Sequence, residues 1–120
     1  MRKWNYGYNS YVASENDIKR SVGKGWSTLL DRVFDKLPIG TPIYDVKEKW
    51  GGLRIYVGGV TEEINNFISD IETESCSICE FCGESGKQVR LGGWVKTICP
   101  ECEEEDKEVR QEDYRKYKME

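Results

Sequence analysis

The sequence predicts a two-part α+β fold, a helix–hairpin–helix unit followed by a small metal-stapled module. Three observations predict it. An apolar stripe of helical period precedes a Gly-Gly turn between two strand-like runs, a second apolar stripe follows, and two C-x2-C pairs then close the chain. With 120 residues, 38% of them hydrophobic, the chain has room for one modest core. A chain this short commonly relies on a staple such as a disulfide or a metal.

Residues 1–13 are read as an aromatic N-terminal arm. Trp4, Tyr6 and Tyr8 alternate as in an edge strand, and Tyr11 follows, but Asn5, Gly7 and Asn9 interrupt the pattern. A mobile arm that docks on a partner fits equally well. The helix–hairpin–helix unit spans residues 14–75. Ser14 caps a short helical turn through Arg20. Trp26, Leu29, Leu30, Val33, Phe34 and Leu37 then form one helical stripe, which Pro38 ends.

Ile43 to Trp50 and Leu53 to Val57 flank Gly51-Gly52, a two-residue turn signal. Closed there, the hairpin sets Trp50 opposite Leu53, Glu48 opposite Ile55 and Val46 opposite Val57 on a core-facing side. Glu48 then sits at the edge of that side or pairs with a cation, for which the first helix is the expected source, because an unpaired buried carboxylate is unfavourable. The other face carries Lys47, Lys49, Arg54 and Tyr56, the best candidate in the chain for binding an anion. Thr61 caps the second helix, with Glu62 and Glu63 at its positive end and Ile64, Phe67, Ile68 and Ile71 as its stripe.

Residues 76–120 are read as a four-cysteine zinc module with a charged C-terminal helix. Cys79-x2-Cys82 and Cys99-x2-Cys102 lie sixteen residues apart. Each pair offers two thiolates from one tight turn, and two such turns complete a tetrahedron around one structural zinc ion. An iron–sulfur cluster is the lesser alternative. Val89 to Leu91 and Trp94 to Ile98 form a hairpin turned at Gly92-Gly93. Pro100 suits the first turn of a helix, with acidic residues 101–106 at its start and Arg115, Lys116 and Lys118 at its end. Knuckle, hairpin, then a ligand pair opening a helix is the treble-clef order, with a plain zinc ribbon as the alternative. Cys76 is read as a spare thiol at a helix end, since Cys79 and Cys82 have Gly83 behind them to turn the chain.

Composition narrows the function. The net charge of −4 argues against wholesale binding to nucleic acid. The charge is uneven, however. Residues 1–60 hold ten Lys and Arg against six Asp and Glu, and this places any anion site in the first half. There is no histidine, the commonest general base and a common ligand of catalytic zinc. With four thiolates closing the metal, no catalytic constellation is recognisable, and no enzyme is expected. Gly23-Lys24-Gly25-Trp26-Ser27 lacks the spacing of a phosphate loop and is read as a flexible lead into the helix. No apolar run reaches about 18 residues, so no membrane span is expected. The N-terminus has no signal core, so a cytoplasmic location is expected.

Val46-Lys-Glu-Lys-Trp-Gly-Gly-Leu-Arg-Ile-Tyr56 resembles the VKEKFGGLRFY motif of small uncharacterised proteins of phages, prophages and bacteria. Gly25-Trp26, Leu29-Leu30, Glu72, Ser75, Cys79-Glu80, Cys82-Gly83, Trp94 and Thr97-Ile98-Cys99 follow in the same order, so the resemblance covers roughly residues 22–103. Trp50 replaces the usual phenylalanine, and the N-terminal arm and C-terminal helix are peculiar to this chain. The resemblance implies a phage origin and so a viral protein that counters a host defence. The expected function is a non-enzymatic, zinc-stabilised binding protein that captures a host protein or a phosphate-bearing, nucleotide-like ligand, either alone or as a homo-oligomer. A nucleic-acid-binding zinc-ribbon regulator is the alternative.

Overall fold

The computed structural model describes residues 2–107. Met1 and residues 108–120, including the basic helix end expected at Arg115, Lys116 and Lys118, lie outside the described residues. The described chain is mixed α+β. It runs β1 (Lys3–Tyr6), β2 (Tyr11–Ser14), α1 (Glu15–Lys19), a 3-10 turn (Lys24–Trp26), α2 (Ser27–Lys36), β3 (Ile43–Lys49), β4 (Gly52–Val57), α3 (Glu62–Ser75), β5 (Lys87–Leu91) and β6 (Trp94–Ile98), and residues 100–107 are helical.

Four strands form one sheet in the order β2-β1-β3-β4. The first residues are therefore not a detached arm. Trp4 and Tyr6 alternate with exposed neighbours, as a strand with one buried face requires. The Trp4 ring stacks on Phe34 of α2 at 5.7 Å, and its Nε1 donates to Glu15 at 2.9 Å. β1 lies parallel to β3 through the pair Tyr6 and Ile43. The Tyr6 hydroxyl accepts from the Val46 N–H at 3.2 Å, so a side chain extends the pairing further along β3. β1 also pairs antiparallel with β2, from Lys3 opposite Ser14 to Tyr6 opposite Tyr11, so a local hairpin makes these residues a strand and the distant β3 joins that hairpin to the sheet.

Ser14 caps α1 in a reciprocal box with Asp17. Its hydrogen bonds hold the Asp17 carboxyl below the usual carboxylate range. The stripe from Trp26 through Leu37 is buried as its period requires. Leu37 is already extended, as the residue before a proline prefers. Thr61 caps α3, and Arg32 of α2 grips Glu74 of α3 with Nη1 at 2.9 and 3.0 Å from its two oxygens.

The last turns of α3 lie along the outer edge of β4. Ser75 Oγ accepts from the Leu53 N–H and Glu72 Oε2 from the Ile55 N–H, both at 2.9 Å. These side chains cover donors that an edge strand would otherwise offer to another chain.

The β3–β4 hairpin turns one residue earlier than its glycines suggest. Lys49 pairs with Gly52, Glu48 with Leu53, Lys47 with Arg54 and Val46 with Ile55. Trp50 and Gly51 form the turn, with φ of 55° and 77°. Positive φ at both central residues gives the turn whose twist matches the strands. Trp50 thus leaves the core face that the expected register assigns it, and its side chain is exposed.

The core falls into two clusters. One gathers residues of the sheet, α1, α2 and α3; the other gathers Cys79, Leu91, Ile98 and Cys99. Among the described residues, no helix is long and apolar enough to cross a membrane.

Candidate metal centre

The two C-x2-C pairs meet. The sulfurs of Cys79, Cys82, Cys99 and Cys102 all lie within 4.8 Å of one another, with Cys82 and Cys99 3.6 Å apart. Sulfurs at the corners of a tetrahedron with metal–sulfur bonds of ~2.3 Å stand ~3.8 Å apart. Four cysteines at this separation can hold one metal ion. Cys79 and Cys99 are buried, Cys102 is half-buried and Cys82 is exposed.

Local structure aims the sulfurs. The Gly83 N–H donates to the Cys79 carbonyl at 2.9 Å and the Cys79 N–H to the Glu84 carbonyl at 2.7 Å, folding the knuckle tightly. The second pair opens the helical residues 100–107, where the Cys102 N–H points at Cys99 Sγ at 3.4 Å. Burial disfavours the Cys79 thiolate, yet backbone N–H groups of Cys99, Cys82 and Phe81 outweigh it and bring its pKa down to about 7. At Cys82 the Glu84 N–H favours the thiolate, but desolvation and the sulfurs of Cys99 and Cys79 prevail and push the pKa up. Burial and the same neighbouring sulfurs push Cys102 up strongly. Four thiolates this close repel one another unless a cation lies among them. Cys76 stands apart, with its Sγ 3.8 Å from the Glu72 carbonyl and beside Gly52.

The four-cysteine module is docked on the first unit by direct hydrogen bonds, not by a loose linker. The Gly25 N–H donates to the Glu80 carbonyl at 2.9 Å, and Trp26 Nε1 donates to the Ile78 carbonyl at 2.9 Å. A Cβ on Gly25 would collide with the Cys79 carbonyl oxygen, and one on Gly23 with that of Glu80. The Gly-Lys-Gly segment is thus a close-packed seat for the first knuckle rather than a flexible lead. Only its long-range partner makes that visible.

A charged triad closes the same junction. Lys96 Nζ lies 3.2 Å from Glu48 Oε1 and 3.2 Å from Glu80 Oε1. Glu48 therefore finds its cation in β6 rather than in a helix of its own unit. Glu80 is 4% exposed, and burial raises its pKa against the opposing pull of Lys96 and the Thr97 N–H. Thr97 Oγ1 donates to the Gly51 carbonyl at 2.5 Å, and Gln88 Nε2 to the Trp50 carbonyl at 3.1 Å. The β3–β4 turn is thereby clamped onto the second hairpin.

The basic side chains do share the outward face of β3 and β4. Lys47 and Arg54 are direct cross-strand partners. Lys47 sits 5.4 Å over the Tyr56 ring and 3.8 Å from Asp45. Lys49 is exposed two residues further on. Arg54 is half-buried, with Nη1 turned to the Leu53 carbonyl at 3.2 Å. On the same face, Tyr44 of β3 stacks on Tyr8 at 5.6 Å, nearly parallel. Sequence reasoning misses Tyr8 and Tyr44 as members of this face, because their proximity depends on the parallel pairing of β1 with β3.

A second feature is also hidden in the sequence. Glu48, Lys49, Trp50, Gly93, Trp94 and Val95 line a cleft of about 290 Å³ between the tips of the two hairpins. Trp50 and Trp94 are 66% and 67% exposed. The expected turn position obscures Trp50, and the sequence around Trp94 suits a ring folded back on the metal module equally well. Compared with known proteins, the chain matches no family model, no curated protein and no solved structure.

Proposed function

We propose that this chain is a non-enzymatic binding protein, stapled by one structural zinc ion, that captures a phosphate-bearing ligand on the outward face of its four-stranded sheet. The observation that carries the reading is the direct opposition of Lys47 and Arg54 on an exposed sheet face, with Lys49 and Tyr56 beside them. Arg54 supplies a planar fork suited to phosphate oxygens, and the lysines supply point charges. A nearby carboxylate, Asp45, offsets part of Lys47.

Zinc is the metal this donor set favours, because four thiolates satisfy its tetrahedral preference. Such a shell leaves no position for water or substrate, and that supports a structural role. The order of knuckle, β5–β6 hairpin and ligand pair at a helix start supports a treble-clef reading of the module. The resemblance of residues 46–56 to phage and prophage proteins supports a host component as the captured ligand and interference with a host defence as the purpose.

The test is calorimetric titration of the metal-loaded protein with inorganic tripolyphosphate and with nucleotides. Binding is expected for the wild type and lost in Lys47→Ala with Arg54→Ala, with the melting temperature unchanged. Equal binding by wild type and double variant sinks the reading.

A further inference from the structure

The cleft between the hairpin tips joins an unusual backbone to two aromatic rings that do not serve the core. Trp50 holds φ at 55°, a left-handed conformation that disfavours bulky side chains. Its ring recovers little by packing, being 66% exposed. Strain of this kind persists where surrounding contacts enforce it, and it concentrates at functional sites. Here the contacts are specific. The Gly51 N–H donates to Glu48 Oε2 at 2.8 Å, Gln88 holds the Trp50 carbonyl and Thr97 holds the Gly51 carbonyl. The turn is locked by both hairpins, and the locked turn presents Trp50 to the cleft that Trp94 also lines.

We propose that this cleft is a nucleobase site, which holds the base of a mononucleotide against Trp50 and Trp94 while its phosphates meet Lys49. Aromatic faces of this kind stack on any base. About 290 Å³ is close to the lower end of small-molecule pockets, roughly 300 Å³, and suits one base rather than a run of them. Lys49 lines the cleft and also belongs to the cationic face, so it links the base site to Lys47 and Arg54. Glu48 adds a selection. Its carboxylate already accepts from Lys96 and Gly51, but it has acceptor sites left for an exocyclic amine. Adenine, guanine and cytosine carry one, and uracil does not. The phosphate half of this proposal rests on the reading above; the aromatic half stands on the cleft alone.

Tryptophan fluorescence of the full, metal-loaded chain tests it. Trp4 and Trp26 are buried, so a ligand in the cleft quenches the exposed pair. Adenosine monophosphate is expected to quench saturably, and uridine monophosphate to bind more weakly. Trp50→Gly and Trp94→Ala should each weaken adenosine monophosphate by about tenfold or more, the size of one lost stacking contact. Trp50→Gly should melt no lower than wild type, because glycine relieves the left-handed strain. Absence of saturable quenching by any of the amine-bearing nucleotides, or unchanged affinity in both tryptophan variants, overturns the proposal. So does a short oligonucleotide that binds far more tightly than the monophosphate. Tripolyphosphate separates the two readings. If it binds wild type and Trp50→Gly alike while nucleotides do not quench, the cleft falls and the phosphate face stands. If adenosine itself quenches while Lys47→Ala with Arg54→Ala binds the monophosphate normally, the phosphate face falls and the cleft stands.

Discussion

Lys96 of β6 reaches back to Glu48 of β3, 3.2 Å away, and the same ammonium group lies 3.2 Å from the buried Glu80 of the first knuckle. One cation thus neutralises a carboxylate from each unit at their junction. Without it, two carboxylates would face each other there, one of them almost completely removed from water.

Lys96→Met is therefore expected to destabilise the protein by about 3 kcal/mol at neutral pH, because it leaves Glu80 buried without its counter-charge. Burial works against the Lys96 ammonium, but attraction and hydrogen bonds from Glu80 and Glu48 prevail and raise its pKa above 10.5. The stability that the cation adds is then complete below pH 10.5 and lost as pH rises through the raised value. Denaturant melts of wild type and variant should differ most near neutrality and converge in strong alkali. A constant difference across that range would contradict the assignment.

Gly25→Ala is expected to be more damaging than its size suggests. The new Cβ would run into the Cys79 carbonyl oxygen and lie 2.7 Å from the Gly83 nitrogen, both of them main-chain atoms. Main chain cannot rotate aside as a side chain can, so the knuckle must move off its seat. The expected loss is ~3 kcal/mol or more, with faster release of metal to a chelator. Thermal melts check this, and in them Lys24→Ala, at the exposed residue between the two glycines, should stay within about 0.5 kcal/mol of wild type.

The five cysteines should divide four to one. Cys79→Ser is expected to abolish stoichiometric metal and to loosen residues 76–107, since metal binding supplies much of the folding energy of a small module. Cys76→Ser should keep one metal ion per chain, as its sulfur lies outside the cluster. Elemental analysis of natively purified protein, with hydrogen exchange on each variant, checks both. Retention of metal by Cys79→Ser, or its loss from Cys76→Ser, would reassign the ligands.

Much of this molecule is legible in its sequence because the governing interactions are local or periodic. The helical stripe from Trp26 to Leu37, the caps Ser14 and Thr61 and the two C-x2-C pairs each state their structure within a few residues. Helical period, capping and ligand spacing are all short-range rules. The sequence likewise places Lys47, Lys49, Arg54 and Tyr56 on one face, because strand alternation survives a change in turn position when both flanking strands keep their parity. Tertiary structure decided whatever depended on a distant partner. Trp4 became core because Phe34 of α2 stacks on it, and Tyr6 because β3 lies beside it. Gly23 and Gly25 became a packing surface because the first knuckle approaches within a hydrogen bond. Trp50 was turned out of the core because Thr97 and Gln88, 46 residues beyond Gly51 and 38 beyond Trp50, hold its turn. A local rule cannot carry such contacts, since nothing in the neighbouring residues records which remote atoms will arrive.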